Sequence, residues 1–274
     1  MATEPQWIGV SADLSQAESR VTDHILASLV TDPERRAFFA WRALVRPDEF
    51  DQHTARAASI FKLDPAEVTK QQRYLGKKTV HAFQRGMGAD KLQGELLKDG
   101  LVYTERECKQ MLAGVDAAEP ELREVYFPWV RQQIILRRRL TNSWGRRWCC
   151  EYDRFDDALY RRGYSFFPQS EVSDWMNQKG TVPMFRASAV WRQAGLMKIN
   201  AHVHDSLFLS CAPEIAYAAA AMLVEALEQP RLMYGAELVI PCEVEIGRTW
   251  KGARAWKRMP GQEEFNAAVK EVLT

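Results

Sequence analysis

Asp13 and Asp205 stand 192 residues apart, and each lies where a strand ends or turns. Asp13 is near the end of Trp7 to Leu14, which reads as a short strand. Asp205 is at the centre of KINAHVHDSLFLSC, which reads as a hairpin with its tight turn at His204-Asp205-Ser206. If both strands join one sheet, two carboxylates come together, and such a pair needs a cation between them. Hard oxygen donors suit Mg²⁺, which is held by one or two carboxylates plus substrate phosphates. Two such ions about 3.5–4 Å apart activate a 3′-hydroxyl and stabilise a leaving pyrophosphate. An aspartate at a strand end or turn is also an ordinary cap or turn former, so the pair alone leaves both readings open.

Arg73 and Lys77 are four residues apart in a helical segment and share one face. Two cations so placed suit a polyphosphate, because phosphoryl transfer is catalysed mostly by positioning and charge neutralisation. A solvated helix face is the other reading. Lys78 competes with Lys77 for the role, but only Lys77 keeps both the spacing to Arg73 and the distance to Gly86.

The elements that must position these residues follow a simple order. Asp32-Pro33-Glu34 opens a helix, with Asp as N-cap and Pro in the first turn, and Arg46-Pro47 breaks it. Asp64-Pro65 opens a second helix, and Glu119-Pro120 a third that runs to Leu140. Asn142 to Cys150 reads as a turn or hairpin around Gly145, with helices onward to Arg192. An Ala-rich helix follows Pro213, and ELVIPCEVEIGRTW reads as one more strand. Strands at both ends with helices between them predict an α+β fold, a small antiparallel sheet with a large helical insertion.

Composition sets outer limits. The 274 residues are 46% hydrophobic and carry a net charge of +1, so any basic surface is local. Arg137, Arg138, Arg139, Arg146, Arg147, Arg161 and Arg162 supply one, with a set of solvated helix faces as the other reading. Five cysteines without a C-x-x-C fit neither a disulfide framework nor a zinc site, and point to a reduced, cytoplasmic setting. There is no secretory signal and no apolar run near the ~20 residues of a membrane helix, so no membrane partner is expected.

Three segments, taken in order, resemble the motifs of family A DNA polymerases. Asp13-Leu14-Ser15-Gln16-Ala17-Glu18-Ser19-Arg20 is similar to motif A, D-Y-S-Q-I-E-L-R. Arg73, Lys77 and Gly86 match motif B, R-x-x-x-K-x(7)-Y-G, and Val203-His204-Asp205-Ser206 is similar to motif C, V-H-D-E. Asp51-Gln52-His53-Thr54 looks like the family's D-I-H-T, Trp144-Gly145-Arg146-Arg147 like its F-G-R-R, and Phe167-Pro168-Gln169 like the stretch around a functional Gln. Pro241 to Trp250 looks like its final palm strand.

The resemblance implies a right-hand polymerase in which residues 1–30 and 166–274 form the palm and 31–165 the fingers. It implies two Mg²⁺ ions held by Asp13, Asp205 and the Leu14 carbonyl, with a dNTP and a primer–template as substrates. Arg73, Lys77, His81, Arg85, Ser15, Gln16 and Glu18 would line the nucleotide, Glu18 as the gate against a ribose 2′-hydroxyl. Lys77 would also give a proton to the pyrophosphate. His202, Gln169, Arg161 and His53 would contact DNA.

Departures from the pattern carry their own expectations. His81 stands where motif B has an aromatic, and Arg85 where it has Tyr, so Arg85 is expected to ion-pair with Glu18. Ser206 replaces the usual Glu, as in single-subunit RNA polymerases, which keeps an RNA polymerase core as one alternative. A catalytically inactive polymerase-like subunit is another. Only twelve residues precede Asp13, where the family has a thumb and commonly an exonuclease. A split, phage-type polymerase follows as the expectation, with a second polypeptide supplying thumb and proofreading.

Overall fold

The structure is a computed structural model and describes residues 7–274. In chain order the elements are β1 (Ile8–Leu14), α1 (Ala17–Leu29), α2 (Pro33–Leu44), α3 (Gln52–Phe61), α4 (Lys70–Gln84), α5 (Ala89–Lys98), α6 (Glu105–Ala118) and α7 (Phe127–Arg137). The hairpin β2 (Arg139–Thr141) and β3 (Arg147–Cys149) comes next, then α8 (Asp157–Trp175), α9 (Val182–Ala187) and α10 (Ala189–Gln193). The chain closes with β4 (Met197–Val203), β5 (Ser206–Cys211), α11 (Pro213–Leu227), β6 (Arg231–Met233), β7 (Ala236–Leu238), β8 (Cys242–Gly247), β9 (Arg254–Trp256) and α12 (Gln262–Leu273). The chain divides into two compact units, one of residues 7–18 and 171–274, the other Ser19–Ser170. The fold class is α+β, as the order of elements predicted.

The first unit is built on a five-stranded sheet in the order β4-β5-β1-β8-β9. All of its pairings are antiparallel. Side chains alternate faces along a strand, so one row of β1 is Ile8, Val10, Ala12 and Leu14, each at most 1% exposed. Register aligns Val10 with Leu209 and Ile246, and Ala12 with Leu207 and Val244, which makes one continuous apolar face. α11 and α12 pack on the sheet through Ala216, Ala219, Ala220, Leu223, Phe265 and Val269. The opposite row, Ser11 and Asp13, aligns with Phe208 and Ser206 on β5 and with Glu245 and Glu243 on β8.

The second unit is helical. Its core gathers Leu75, Ala82, Leu92, Leu96, Cys108 and Met111 from α4, α5 and α6. α3 and α4 meet where a Cβ on Gly76 would come within 2.7 Å of the Ala57 Cβ, so glycine sets the approach of the helices. Four buried charges tie the unit together. Arg42 bonds Asp23 at 2.6 Å and Glu119 at 2.7 Å, and Arg56 bonds Glu119 at 2.8 Å and Asp23 at 3.2 Å. The set is neutral and links α1, α2, α3 and the end of α6. Burial pushes the Glu119 carboxyl up, but the two guanidinium groups outweigh it and hold it well below the usual range.

Several boundaries differ from the sequence reading. Asp64-Pro65 opens only a 3₁₀ turn, Pro65–Glu67; the helix of Arg73 and Lys77 starts at Lys70 under a capping box of Thr69 and Gln72. The segment after Pro120 winds through a π turn, Leu122–Tyr126, into α7 and stops at Arg137, because Arg138 takes a left-handed φ of 52°. Leu140 belongs to β2. ELVIPCEVEIGRTW is two strands, β7 and β8, parted at Ile240-Pro241, where proline has no amide to give a ladder.

Candidate active site

The β1–β5 register sets the acidic end of the sheet. Asp13 lies directly opposite Ser206, and the Leu14 amide donates to the Asp205 carbonyl at 2.8 Å, which extends the ladder by one rung. Asp13 and Asp205 thus sit one register step apart on adjacent strand ends. The Leu14 side chain is fully buried on the apolar face. Ser15 Oγ donates to Glu243 at 3.2 Å, and its amide donates to the Pro241 carbonyl at 2.8 Å.

Two residues in this region hold a backbone that glycine ordinarily supplies. His204 has a φ of 54° at the first position of the β4–β5 turn, and Gln16 a φ of 56° directly after β1. A non-glycine residue in this region costs about 1–3 kcal/mol, a strain often found where a loop must present a side chain. Glu18 begins α1. His202 on β4 is engaged at both ring nitrogens: Nε2 faces the His204 carbonyl at 3.2 Å and so donates, leaving Nδ1 to accept from Thr181 Oγ1 at 3.1 Å.

Glu243 and Glu245 were missed by the sequence reading. The period-2 alternation of CEVEIG was visible, but only the β1–β8 register sets Glu243 beside Asp13 and Glu245 beside Ser11. Glu243 also meets Lys257 at 3.6 Å. Burial first, and then the neighbouring Glu243, raise the Glu245 carboxyl above its usual range. Among the described residues no group of three or more His, Cys, Asp or Glu is arranged to hold an ion. An all-protein cage is not what Mg²⁺ requires, however; two hard carboxylates with open positions for phosphate oxygens fit it.

In the second unit, α4 carries Arg73, Lys77 and His81, and Arg85 at its C-cap, at successive intervals of four. Arg73 is gripped by Asp51, the N-cap of α3, through Nε at 2.6 Å and Nη2 at 3.2 Å. Burial pushes the Asp51 carboxyl up, yet Arg73 and Thr54 together hold it below the usual range. Lys78 turns to Asp99 at 2.9 Å, which also accepts from the Tyr74 hydroxyl. Lys77 is exposed, and among the described residues no carboxylate pairs with it.

His53 on α3 and His81 on α4 lie with ring centroids 5.9 Å apart, and neither Nδ1 has a hydrogen-bond partner among the described residues. Burial, then Arg56, His81, Lys77 and Arg73, push His53 down to about 2. Burial, then Arg85, Lys77, Arg56 and Lys78, push His81 down to about 3. Both rings are therefore neutral at pH 7 within a strongly cationic neighbourhood. Arg161 and Gln169 lie on α8 and share an open groove with Arg85.

The structure thus gathers Asp13, Leu14, Ser15, Gln16, Glu18, His202 and Asp205 in the first unit. His53, Arg73, Lys77, His81, Arg85, Arg161 and Gln169 belong to the second. One unit offers carboxylates at the ends of two interior strands, and the other a row of cations.

Residues 1–252 match the family described as DNA polymerase family A. A DNA polymerase I, thermostable, from Thermus filiformis is 28% identical over 260 residues, covering 92% of this chain and 28% of that protein. The POL domain of Pol1 from M. smegmatis, solved with DNA primer–template and dNTP, has a similar fold. Its TM-score is 0.68 at 20% identity, covering 91% of this chain and 41% of that one. The chain therefore spans less than half the length of either relative. Among the described residues no helix is long and apolar enough to cross a membrane.

Proposed function

The chain belongs to DNA polymerase family A, and from that premise we propose that it carries the nucleotidyl-transfer centre of a template-directed DNA polymerase. Its substrates are a dNTP and a primer–template. One observation carries the reading: the β1–β5 register, which sets Asp13 and Asp205 one step apart.

Asp13, Asp205 and the Leu14 carbonyl are the groups that would hold Mg²⁺. When bound, the ions lower the pKa of the 3′-hydroxyl and neutralise the leaving pyrophosphate. The remaining work belongs to side chains. Arg73, preset by Asp51, and Lys77 bind the triphosphate and orient it. The primer 3′-hydroxyl gives up its proton to solvent and its oxygen bonds to the α-phosphorus as the bond to the bridging oxygen of pyrophosphate breaks, and Lys77 protonates that leaving group. The engagement of Lys78 by Asp99 favours Lys77 for this role. Ser15 and Gln16 frame the nucleotide, and Glu18 excludes a ribose 2′-hydroxyl.

His81 and Arg85 line the nucleotide with them, while His202, Arg161, Gln169 and neutral His53 contact the DNA. Family membership favours DNA over RNA as the product. Residues 1–30 and 166–274 serve as palm and 31–165 as fingers. The test is single-nucleotide addition to a recessed primer with dNTP or rNTP. Template-matched addition of dNTP supports the reading, and preference for rNTP sinks it.

A further inference from the structure

Asp205 sits in a turn whose two flanking peptides are each held from outside. The Asp205 carbonyl accepts from the Leu14 amide at 2.8 Å. The carbonyl before it, that of His204, faces His202 Nε2 at 3.2 Å. A residue's backbone direction is set by the two rigid peptide planes on either side of its Cα. These two bonds together therefore fix where the Asp205 side chain starts. The bond from His202 matters because His204 has a left-handed φ of 54°, a conformation that persists only where its surroundings impose it.

The ring that holds this carbonyl is itself held. His202 Nδ1 lies 3.1 Å from Thr181 Oγ1. A carbonyl only accepts, so Nε2 carries the ring hydrogen, and the Thr181 hydroxyl is then the donor to Nδ1. With the hydrogen on Nδ1 instead, the Nε2 lone pair would face the His204 oxygen and the bond would be lost. Packing places Thr181 for this role. It ends the π turn Met176–Thr181, which lies against α11 and β5. A Cβ on Gly180 would come within 2.8 Å of the Leu227 side chain, and just before the turn Trp175 Nε1 donates to the Leu227 carbonyl at 2.8 Å. Single π turns of this kind are frequent at functional sites. Leu14, Thr181, His202, His204 and Asp205 all belong to the first unit.

We propose that Thr181 is a positioning residue for Asp205. Its hydroxyl selects the His202 tautomer that holds the His204 carbonyl, and this chain of contacts aims the Asp205 carboxylate. The consequence for catalysis rests on the nucleotidyl-transfer reading above; the consequence for the turn does not. Primer–template affinity separates this role from the DNA contact proposed for His202.

The experiment compares the full wild-type chain with Thr181→Val, which keeps the shape and removes the hydroxyl, and with Thr181→Ser, which keeps the hydroxyl. Ring nitrogens are read by proton–nitrogen correlation NMR at about pH 8.5, above the ordinary imidazole range. The signals missing from His202→Gln identify those of His202. Wild type and Thr181→Ser are expected to show hydrogen on Nε2. Thr181→Val is expected to lose that tautomer and to shift the Asp205 amide resonance. In single-nucleotide addition, Thr181→Val should lower kcat about 10- to 100-fold, with the KM for dNTP and the Kd for primer–template unchanged. Thr181→Ser should restore most of the rate. Hydrogen on Nδ1 in wild type overturns the proposal, whether or not the variants fold. An unchanged tautomer in Thr181→Val, an unchanged kcat, or a loss confined to primer–template affinity also overturns it. If folded wild type adds no nucleotide, the polymerase reading fails. A shift of the Asp205 amide in Thr181→Val that is absent from Thr181→Ser then still supports the proposal.

Discussion

The amide of Leu14 donates to the carbonyl of Asp205 at 2.8 Å, joining two segments that lie more than 190 residues apart in sequence. Through this bond the acidic ends of β1 and β5 are positioned by main chain rather than by flexible side chains. His204 holds the other side of the turn with a left-handed φ of 54°. His204→Gly should therefore relieve strain, leaving stability equal to or about 1 kcal/mol above wild type. Urea denaturation monitored by circular dichroism checks this, and a large loss would contradict the strain assigned to the turn.

Lys77 and Lys78 are adjacent, yet they face different partners. Lys78→Ala removes an exposed ion pair with Asp99, of the kind that contributes little. It should leave the melting temperature and the KM for dNTP near wild type. Lys77→Ala should lower kcat/KM for dNTP addition about 100-fold or more, the range of a lost acid or charge contact in the transition state. Steady-state kinetics on both variants separates them.

The buried pair His53 and His81 predicts an acid limb in stability. Their folded pKa values, about 2 and about 3, lie below the ordinary 6.5. The unfolded chain therefore takes up protons below pH 6.5 that the folded chain refuses. The stabilising effect is complete above pH 6.5 and is lost as pH falls toward 3, by about 1.4 kcal/mol per pH unit for each histidine. Denaturation at pH 7, 6, 5 and 4 should show this slope, and His53→Gln should remove one proton's share of it.

The charge set Asp23, Arg42, Arg56 and Glu119 is neutral only when all four members are present. Glu119→Gln would leave an uncompensated buried guanidinium and should cost about 3–5 kcal/mol. Guanidinium denaturation of the variant reads this directly. Gly76→Ala tests packing in the same unit, since the added methyl meets Ala57 and should cost about 1–3 kcal/mol.

Local features of this fold were legible in sequence where a local rule governs them. The Asp32-Pro33 cap, the His204-Asp205 turn and the opening strand each depend on a few neighbouring residues, and each has its element in the structure. What was hidden depends on distant partners. Asp51 preorganises Arg73 from another helix, and Glu243 reaches Asp13 only through register. The buried charge set joins residues up to 96 positions apart, from Asp23 to Glu119, so no window of sequence contains it. The strand broken at Pro241 looked continuous because alternation persists across a residue that cannot join a ladder.

Asp13 and Asp205 are proposed to serve nucleotidyl transfer. The most direct test is the rate of addition of one template-matched dNTP to a saturating recessed primer–template with Mg²⁺. Wild type would be compared with Asp13→Asn and Asp205→Asn after all three are matched for melting temperature. Wild type should add the nucleotide, and each variant should do so at a rate at least about 1,000-fold lower, as expected when a group acting only in the transition state is removed. Addition by Asp205→Asn at the wild-type rate, or none by correctly folded wild type, would contradict it.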